Sequence, residues 1–206
     1  MRFGEDLYLD SDAFIKYKDR AIVGKSVAID KGFYCTTQLE VGDYVHLAPY
    51  SCVIGGEESK IIMGHFSGLS AGAKVICGSD DFTGGVLMNP QVPIEYRRPK
   101  TSIVTFKPFS CIGVNSVVLP GIVLEEGSVL GANSTLTEDA LPWTVYAGNP
   151  AKFVRNLDKN EFITRKDFFK NPAKLAKDFD LLDRYTLGKN TLFGWIKSIF
   201  RRNNSH

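Results

Sequence analysis

Apolar residues recur at every sixth position between Phe106 and Leu141, and this repeat dominates the chain. The run divides into six hexads, FKPFSC, IGVNSV, VLPGIV, LEEGSV, LGANST and LTEDAL, and the first residue of each is apolar. The fifth residue is small in five of the six hexads, and Gly, Asn or Asp occupies the fourth place of the last five. Because Gly, Asn and Asp tolerate left-handed backbone conformations, each hexad predicts a short strand followed by a tight corner.

The same period extends towards the N-terminus in two further stretches. The first is formed by Val23, Ile29, Cys35, Val41, Leu47 and Val53. A four-residue slip between positions 57 and 62 then resets the frame to Met63, Leu69 and Val75. Residues 1–20 fit the frame only loosely, and we expect them to cover the open first coil.

Stacked hexads of this kind predict a parallel β-helix, in which three hexads make one coil and the aliphatic residues form the core. The predicted coils are Val41, Leu47 and Val53; Met63, Leu69 and Val75; Phe106, Ile112 and Val118; and Leu124, Leu130 and Leu136. The period does not indicate the hand of the helix, and ordinary crossover rules favour a right-handed one.

Two segments break the repeat. Residues 80–105 contain Gly84, Gly85 and three prolines, and we expect a long protruding loop there, because such an interruption is uncommon without a functional reason. Residues 156–206 show a helical pattern and predict a C-terminal helical extension beyond a β-helix domain at 1–155. The extension would cover the coil stack or a neighbouring subunit, or its basic amphipathic end would make peripheral membrane contact.

Composition narrows the class of protein. The net charge is +2, but residues 157–206 carry eleven Lys or Arg against six Asp or Glu, so the first 156 residues stand at −3. A small net charge of this kind argues against a broad surface for binding polyanions. The four cysteines form no CxxC pair, which favours packed, reduced thiols over a disulfide framework or a zinc site. Without an apolar leader or a run of about eighteen apolar residues, we expect a cytoplasmic protein.

The run from Ile112 to Val154, ending in YAGNPAKFV, resembles the end of a hexapeptide-repeat acyltransferase of the left-handed parallel β-helix superfamily. The resemblance covers roughly residues 20–155 and is closest to bacterial sugar acetyltransferases of surface-polysaccharide biosynthesis. It implies a left-handed helix, a homotrimer, and acetyl-CoA in a groove between adjacent subunits, with no metal required.

The resemblance also points to the start of the loop. Many of these acetyltransferases have a histidine there as general base, but this chain has Asp80 and Asp81. A carboxylate with an ordinary pKa near 4 is a weak base for a sugar hydroxyl. An amine acceptor needs a less strong base than a hydroxyl does. In addition, two adjacent carboxylates could raise the pKa of one another. Alternatively, the pair only begins a solvated loop or holds an ammonium group.

Histidines are a second source of a base. His65, in MGHFSG, is expected to point outward near a corner, so it is a catalytic candidate as well as a solvated or interface residue. His46, in YVHLAP, follows an aromatic residue and is more typical of a structural histidine.

Two groups of residues are candidates for binding. For the cofactor, Gly113, Gly131 and Ala132 would let pantetheine approach backbone amides, although they are also ordinary corner residues. Lys152 and Arg155 match positions where relatives meet the CoA phosphates. For the substrate, the loop combines the aromatic ring of Tyr96 with cations that suit a nucleotide diphosphate, unless they are simply solvated. These cations are Arg97, Arg98 and Lys100.

The leading hypothesis is an acetyl-CoA-dependent acetyltransferase that N-acetylates a dTDP- or UDP-linked amino-deoxy sugar for O-antigen or capsule synthesis. The first alternative is O-acetylation of a glycan or saccharide hydroxyl, with His65 or His46 as base. A non-enzymatic β-helix scaffold is an alternative of another class. A zinc carbonic anhydrase on the same helix would need three converging histidines, and only two lie in the repeats.

Overall fold

One compact unit of the chain is Met1–Lys159. The computed structural model describes residues 2–159, without the side chains of Arg2 and Phe3. The predicted helical extension and its membrane contact lie outside the described residues, and the domain boundary after residue 155 stays a prediction. Between residues 2 and 159, no helix is long and apolar enough to cross a membrane.

The described unit is an all-β parallel β-solenoid, as the hexads predict. Successive strands enter three sheets in turn, and each strand pairs in parallel with the equivalent strand of the next coil. We call the bend from the first sheet to the second corner A, the bend from the second to the third corner B, and the bend from the third to the first corner C.

The strands of each sheet follow the stacking order of the coils. The first sheet contains β1 (Arg2–Phe3), β4 (Ile22–Val23), β7 (Gln38–Val41), β10 (Lys60–Met63), β15 (Ile103–Phe106) and β18 (Val123–Leu124). The second contains β2 (Tyr8–Leu9), β5 (Ala28–Ile29), β8 (His46–Leu47), β11 (Gly68–Leu69), β16 (Cys111–Ile112), β19 (Val129–Leu130), β21 (Thr144–Gly148) and β22 (Ala151–Asn156). The third contains β3 (Phe14–Ile15), β6 (Tyr34–Cys35), β9 (Cys52–Ile54), β12 (Lys74–Ile76), β17 (Val117–Val118) and β20 (Thr135–Leu136).

Three shorter features lie outside these three sheets. Strands β13 (Gly78–Ser79) and β14 (Lys100–Thr101) form an antiparallel pair at corner C. Two 3₁₀ turns span Lys18–Arg20 and Ile94–Tyr96.

The pairing register confirms the predicted coils. Val41 pairs with Met63, Met63 with Phe106, and Phe106 with Leu124, so the four residues form one inward column. The columns on the other two sheets follow the same register. The side chains of these columns are almost completely buried, and each buried aliphatic residue contributes about 1.5–3 kcal/mol of transfer free energy.

The expectation for residues 1–20 is wrong, because these residues form a complete coil rather than a cover. Phe3, Leu9 and Ile15 pair with the next coil in the same register as every later coil. The turn at Lys18–Arg20 lengthens corner C by two residues, so the next inward residue is Val23. A hexad frame carried back from Val23 therefore misses the first coil.

Corner A carries a stack of aromatic rings where Gly or Asn would be usual. Tyr44, Phe66, Phe109 and Trp143 all have φ between 53° and 66°. Successive ring centroids lie 5.0, 5.2 and 6.0 Å apart, and the rings of the first two pairs are stacked in nearly parallel planes. A left-handed conformation costs a residue with a side chain about 1–2 kcal/mol. Stacking, at about 0.5–1.5 kcal/mol per pair, offsets part of this cost.

The loop leaves and re-enters the solenoid through the β13–β14 pair. Gly78 pairs with Thr101 and Ser79 with Lys100. The predicted end at residue 105 is too late, because β15 (Ile103–Phe106) already belongs to the first sheet and pairs with β10. The alternating burial of β15, with Val104 and Phe106 inward, is typical of a solenoid strand.

Candidate functional site

The β13–β14 pair brings the predicted acidic and basic residues of the loop into one cluster at corner C. Asp80 and Asp81 follow β13 directly, and their partners Arg97, Arg98 and Lys100 lie just before or within β14. Since the two strands run antiparallel, residues far apart in sequence are held side by side. The two groups of candidates are therefore each other's partners.

Asp80 is bound on both carboxylate oxygens. Its Oδ1 accepts hydrogen bonds from Arg97 Nε at 3.1 Å and Nη2 at 2.7 Å, and its Oδ2 accepts one from the backbone N–H of Asn89 at 2.7 Å. Arg97 also donates from Nη1 to the carbonyl of Pro90 at 3.3 Å. Only 7% of the Asp80 side chain and 14% of the Arg97 side chain are exposed, so this pair ties the loop together.

Asp81 is bound still more completely. Its Oδ1 accepts the backbone N–H of Thr83 at 3.0 Å and also the hydroxyl of Thr83. Arg98 donates to Oδ2 from Nε at 3.0 Å, and Lys100 Nζ lies 3.3 Å from Oδ1. The side chain of Asp81 is only 2% exposed.

These contacts lower the pKa of both carboxyl groups. For Asp80 the main cause is the hydrogen bond from Arg97, followed by the backbone N–H of Asn89. For Asp81 the main causes are the two hydrogen bonds from Thr83, with smaller contributions from Lys100 and Arg98. The expectation that the two carboxylates raise the pKa of each other is therefore wrong, because donors surround each of them. Both are ionised at neutral pH and are weaker bases than an ordinary aspartate.

The predicted substrate-binding residues divide into two kinds. Arg97 is mostly buried and engaged with Asp80. Arg98 and Lys100 are paired with Asp81 but keep 61% and 59% of their side chains exposed, and Tyr96 is 58% exposed. Three cations against two carboxylates leave the cluster with a net positive charge, which suits an anionic ligand.

His65 lies at corner A, away from the loop, and its ring is bound to the backbone. Its Nδ1 accepts the backbone N–H of Asp43 at 2.9 Å. The same contact occurs one coil earlier, where Asp43 Oδ1 accepts the backbone N–H of Lys25 at 2.9 Å. Because Nδ1 must offer a lone pair, the neutral ring carries its proton on Nε2 and cannot accept another there. This geometry favours the structural alternative for His65.

His46 lies on the outer face of the second sheet, in β8. Its Nε2 is 2.7 Å from Asp30 Oδ2, and Asp30 is only 9% exposed whereas His46 is 47% exposed. With the carboxylate as acceptor, Nε2 carries the proton. The pair therefore resembles the histidine–carboxylate arrangements in which the carboxylate orients the ring.

The space beside the two glycines predicted to admit the cofactor is occupied by the next coil instead. A Cβ on Gly113 would lie 2.5 Å from Ala132 N, and one on Gly131 would lie 3.1 Å from the Cβ of Ala147. Their own N–H groups donate to the carbonyls of Leu130 and Tyr146. These amides are therefore not available to pantetheine, and only Ala132 of the three is exposed.

Lys152 and Arg155 lie on β22, the antiparallel strand that closes the solenoid. Lys152 Nζ is 3.5 Å from Glu138 Oε1 with 70% of its side chain exposed, and Arg155 is also exposed. Both remain accessible to an anion. In the described part of the chain, no three His, Cys, Asp or Glu side chains come close enough to hold a metal ion.

Sequence reasoning missed the residues that lock the loop, chiefly Thr83 and Asn89. The signal for the Thr83 backbone contact was present, since an aspartate side chain in a turn often accepts the backbone N–H two residues on, as in an Asx turn. Asn89 bonds through its backbone, which leaves no residue-type signal.

No model of a protein family matches the sequence. The dTDP-4-amino-4,6-dideoxy-D-glucose acyltransferase of Escherichia coli is 30% identical over 161 residues, covering 76% of this chain and 82% of that protein. A protein of Escherichia coli K12 that carries the name lipopolysaccharide biosynthesis O-acetyl transferase WbbJ is 27% identical over 157 residues, covering 72% and 74%.

Among solved structures, the chain is similar to AntD, an N-acyltransferase from Bacillus cereus. The TM-score is 0.78 and the identity 29%, over 82% of this chain and 90% of that one. AntD has been crystallised with dTDP-4-amino-4,6-dideoxyglucose and coenzyme A, and with dTDP and 3-hydroxybutyryl-CoA. Its structures include variants changed at one serine and variants changed at an aspartate ten positions later.

Proposed function

The chain belongs to the hexapeptide-repeat acyltransferases that act on sugars, and from this premise we propose that it acetylates the amine of a nucleotide-linked amino-deoxy sugar. The observation that carries the proposal is the match to the dTDP-4-amino-4,6-dideoxy-D-glucose acyltransferase, which covers 82% of that protein. This relative favours dTDP over UDP as the nucleotide. The product would serve O-antigen or capsule synthesis.

We assign the acetyl donor to acetyl-CoA, which supplies an acyl group activated as a thioester. The exposed cations of Lys152 and Arg155 fit its phosphates, whereas the amides of Gly113 and Gly131 are used within the solenoid. As in the family, the solenoid would be left-handed and three copies would assemble, with the donor in the groove between them. The cytoplasm, where acetyl-CoA is made, is the expected location.

The acceptor would be held at the base of the loop, where the ion-pair cluster lies at corner C. Tyr96, Arg98 and Lys100 present an aromatic ring and two exposed cations beside each other in sequence, which suits a nucleotide diphosphate. Asp81 holds Arg98 and Lys100 in place, and Asp80 holds Arg97. The two carboxylates orient the amine rather than abstract its proton. In the reaction the amine nitrogen bonds to the acyl carbon, the carbon–sulfur bond breaks with release of the CoA thiolate, and the proton lost by the nitrogen goes to that thiolate.

The AntD variants point to one residue that sequence reasoning missed. Ser70 and Asp80 are the only serine and aspartate in this chain separated by ten positions in that order. Ser70 is half-buried at corner B, directly after the inward Leu69. We therefore propose the Ser70 hydroxyl as a hydrogen-bonding group for the acceptor.

The test is turnover with acetyl-CoA and purified acceptors, followed through the free thiol of released CoA with a chromogenic disulfide. Burial raises the pKa of all four of the protein's own thiols, that of the half-buried Cys52 included, so they interfere little. The pKa rises to about 11 for Cys35 and Cys111 and to about 12 for Cys77. We expect turnover with dTDP-4-amino-4,6-dideoxyglucose and little with maltose. If none of the amino-sugar nucleotides supports release of the CoA thiol, the proposal is refuted.

O-acetylation of a saccharide hydroxyl is a second candidate, favoured by the match to WbbJ and by the His46–Asp30 pair. A hydroxyl needs a stronger base than an amine, and an oriented histidine supplies one. The product separates the two candidates, because neutral hydroxylamine cleaves an ester and leaves an amide intact. His46→Gln would abolish ester formation and leave amide formation within about threefold, since general-base loss costs at least about a hundredfold.

A further inference from the structure

Every lengthened bend of the solenoid lies at corner C. Between Leu9 and Leu136, neighbouring inward residues are six positions apart across all bends at corners A and B. Three bends at corner C are longer, with eight positions from Ile15 to Val23, ten from Val53 to Met63 and thirty-one from Val75 to Phe106. Insertions gathered on one face of a repeat protein often mark its binding face.

The middle insertion, residues 55–59 with the sequence GGEES, lies directly before the coil from which the loop leaves, and we call it the support turn. Thr36 Oγ1 accepts the backbone N–H of Gly55 at 3.2 Å, and Gln38 Nε2 donates to the carbonyl of Glu57 at 2.7 Å. Arg20 Nη2, in the first lengthened bend, lies 2.7 Å from Glu57 Oε1. That ion pair is half exposed and therefore weak, so the hydrogen bonds to the backbone are the firmer contacts.

Ser59 closes the support turn from inside. It is completely buried, and its Oγ accepts the backbone N–H of Gly56 at 2.7 Å and donates to the carbonyl of Gly56 at 3.2 Å. The backbone N–H of Ser59 donates to the same carbonyl at 3.1 Å. Because its hydroxyl is engaged in this way, the Ser59 side chain cannot turn away from a neighbour without losing hydrogen bonds.

The strand that begins the loop rests on the support turn. The backbone N–H of Cys77 donates to the last carbonyl of β9 at 2.6 Å, immediately before β13. A Cβ on Gly78 would lie 2.9 Å from Ser59 Oγ and 3.3 Å from Gly55 Cα, so only glycine permits this approach without a shift. Asp80 follows two residues later, and the turn therefore sets where the ion-pair cluster begins.

The strand that ends the loop is fastened at the same place. The backbone N–H and the hydroxyl of Ser102 both donate to the carbonyl of Cys77 at 2.8 Å. Lys60, the residue after the support turn, donates its backbone N–H to the carbonyl of Ser102 at 3.1 Å. Both ends of the loop are thus held against the support turn.

We propose that the support turn is a positioning element for the acceptor site, acting through the contact of Gly55 and Ser59 with Gly78. It holds β13 and β14 on the solenoid and so fixes Arg98 and Lys100, the exposed cations assigned above to the diphosphate. The turn itself makes no contact with the acceptor, so Gly55 and Ser59 are positioning residues. The role in acceptor binding rests on the proposed function, whereas the support of the loop does not.

Gly55→Ala is the test variant, and Gly56→Ala is its matched control in the same turn. A Cβ on Gly55 would clash with Ser59 Oγ and lie 2.9 Å from Ser59 Cβ, whereas one on Gly56 would meet nothing within 4 Å. Neither glycine has a positive φ, so alanine suits the backbone at both positions. Gly78→Ala presses on the same contact from the loop side and is a second test variant. Circular dichroism melts establish which variants fold.

Steady-state kinetics with the amino-sugar nucleotide and acetyl-CoA give the first measurement. We expect Gly55→Ala and Gly78→Ala to raise the KM for the acceptor at least about tenfold, because a misplacement of about 1 Å can cost about a hundredfold. The KM for acetyl-CoA should stay within about threefold, and both KM values should do so in Gly56→Ala. Ser59→Gly, added to Gly55→Ala, should lower the KM for the acceptor again by removing the clash. A merely destabilised enzyme would lose kcat and keep both KM values.

Hydrogen exchange in residues 78–102 gives a measurement that needs no substrate. The backbone N–H of Leu87, which donates to the carbonyl of Tyr96 at 2.9 Å, should exchange at least about tenfold faster in Gly55→Ala than in Gly56→Ala. Equal exchange in these two variants would overturn the proposal, as would an unchanged KM for the acceptor in folded Gly55→Ala and Gly78→Ala. If wild type neither binds dTDP in calorimetry nor turns over any amino sugar, the proposed function has failed, and the exchange rates alone decide whether the turn supports the loop.

Discussion

The Asp80 carboxylate and the Arg97 guanidinium form a two-point pair, with Arg97 Nε and Nη2 at 3.1 and 2.7 Å from Asp80 Oδ1. Both side chains are largely buried at the base of the loop. Removing either partner leaves the other charge without its counterpart, so the two residues act as one unit in holding the loop.

The first prediction follows from this coupling. Asp80→Asn and Arg97→Gln should each lower kcat/KM by at least about tenfold. The kcat/KM of the double variant should be no lower than that of the less active single variant. Steady-state kinetics on the three variants measure this, with Asp6→Asn as an exposed control. If Asp80 acts as a base, its loss would far exceed that of Arg97→Gln and the losses would multiply.

The second prediction concerns pH. The pKa of Asp81 is lowered in the folded protein by Thr83, Lys100 and Arg98. A lowered pKa contributes stability that is fully present above the unfolded-state pKa of about 3.9 and is lost as the pH falls through the folded-state pKa. The melting temperature of Asp81→Asn should therefore lie below that of wild type by a constant amount from pH 5 to 8, and the gap should shrink below about pH 4. A gap that changes between pH 5 and 8 would indicate a raised pKa.

The third prediction separates coil packing from cofactor binding at Gly113. A Cβ there would lie 2.5 Å from Ala132 N, and backbone cannot move away cheaply. Gly113→Ala should lose about 1–3 kcal/mol of unfolding free energy in urea. Gly56→Ala is the control, since its Cβ would meet nothing within 4 Å, and it should stay within about 0.5 kcal/mol of wild type. Full stability of Gly113→Ala with weakened CoA binding would restore the cofactor role.

The fourth prediction concerns His65. Its Nδ1 accepts the backbone N–H of Asp43, and an asparagine side-chain oxygen can do the same. His65→Asn should keep turnover within about threefold, because a general-base role would cost about a hundredfold or more. His65→Ala, which lacks an acceptor, should melt lower than His65→Asn. Loss of turnover in both variants at equal stability would return His65 to the mechanism.

The core and the coils were predictable from the sequence because burial in a solenoid repeats within six residues. The inward columns through Val41, Leu47 and Val53 could be assigned from periodicity alone, and the register confirms them. The first coil escaped because the turn at Lys18–Arg20 adds two residues at a corner, which a strict period cannot accommodate. The resemblance of the exit sequence to sugar acyltransferases is confirmed by the relatives.

The site depended on contacts that no local pattern contains. By itself the sequence determined that Asp80 and Asp81 begin a loop and that Arg97, Arg98 and Lys100 lie within it. Only the tertiary structure decided that the two groups bind each other, because the antiparallel pairing of β13 with β14 brings them together across seventeen positions. The same holds for Gly113: the sequence shows only that it lacks a side chain, and the structure shows that the next coil occupies the space beside it. A repeat specifies what points inward, whereas the stacking of coils and the closure of the loop specify which outward groups remain for a ligand.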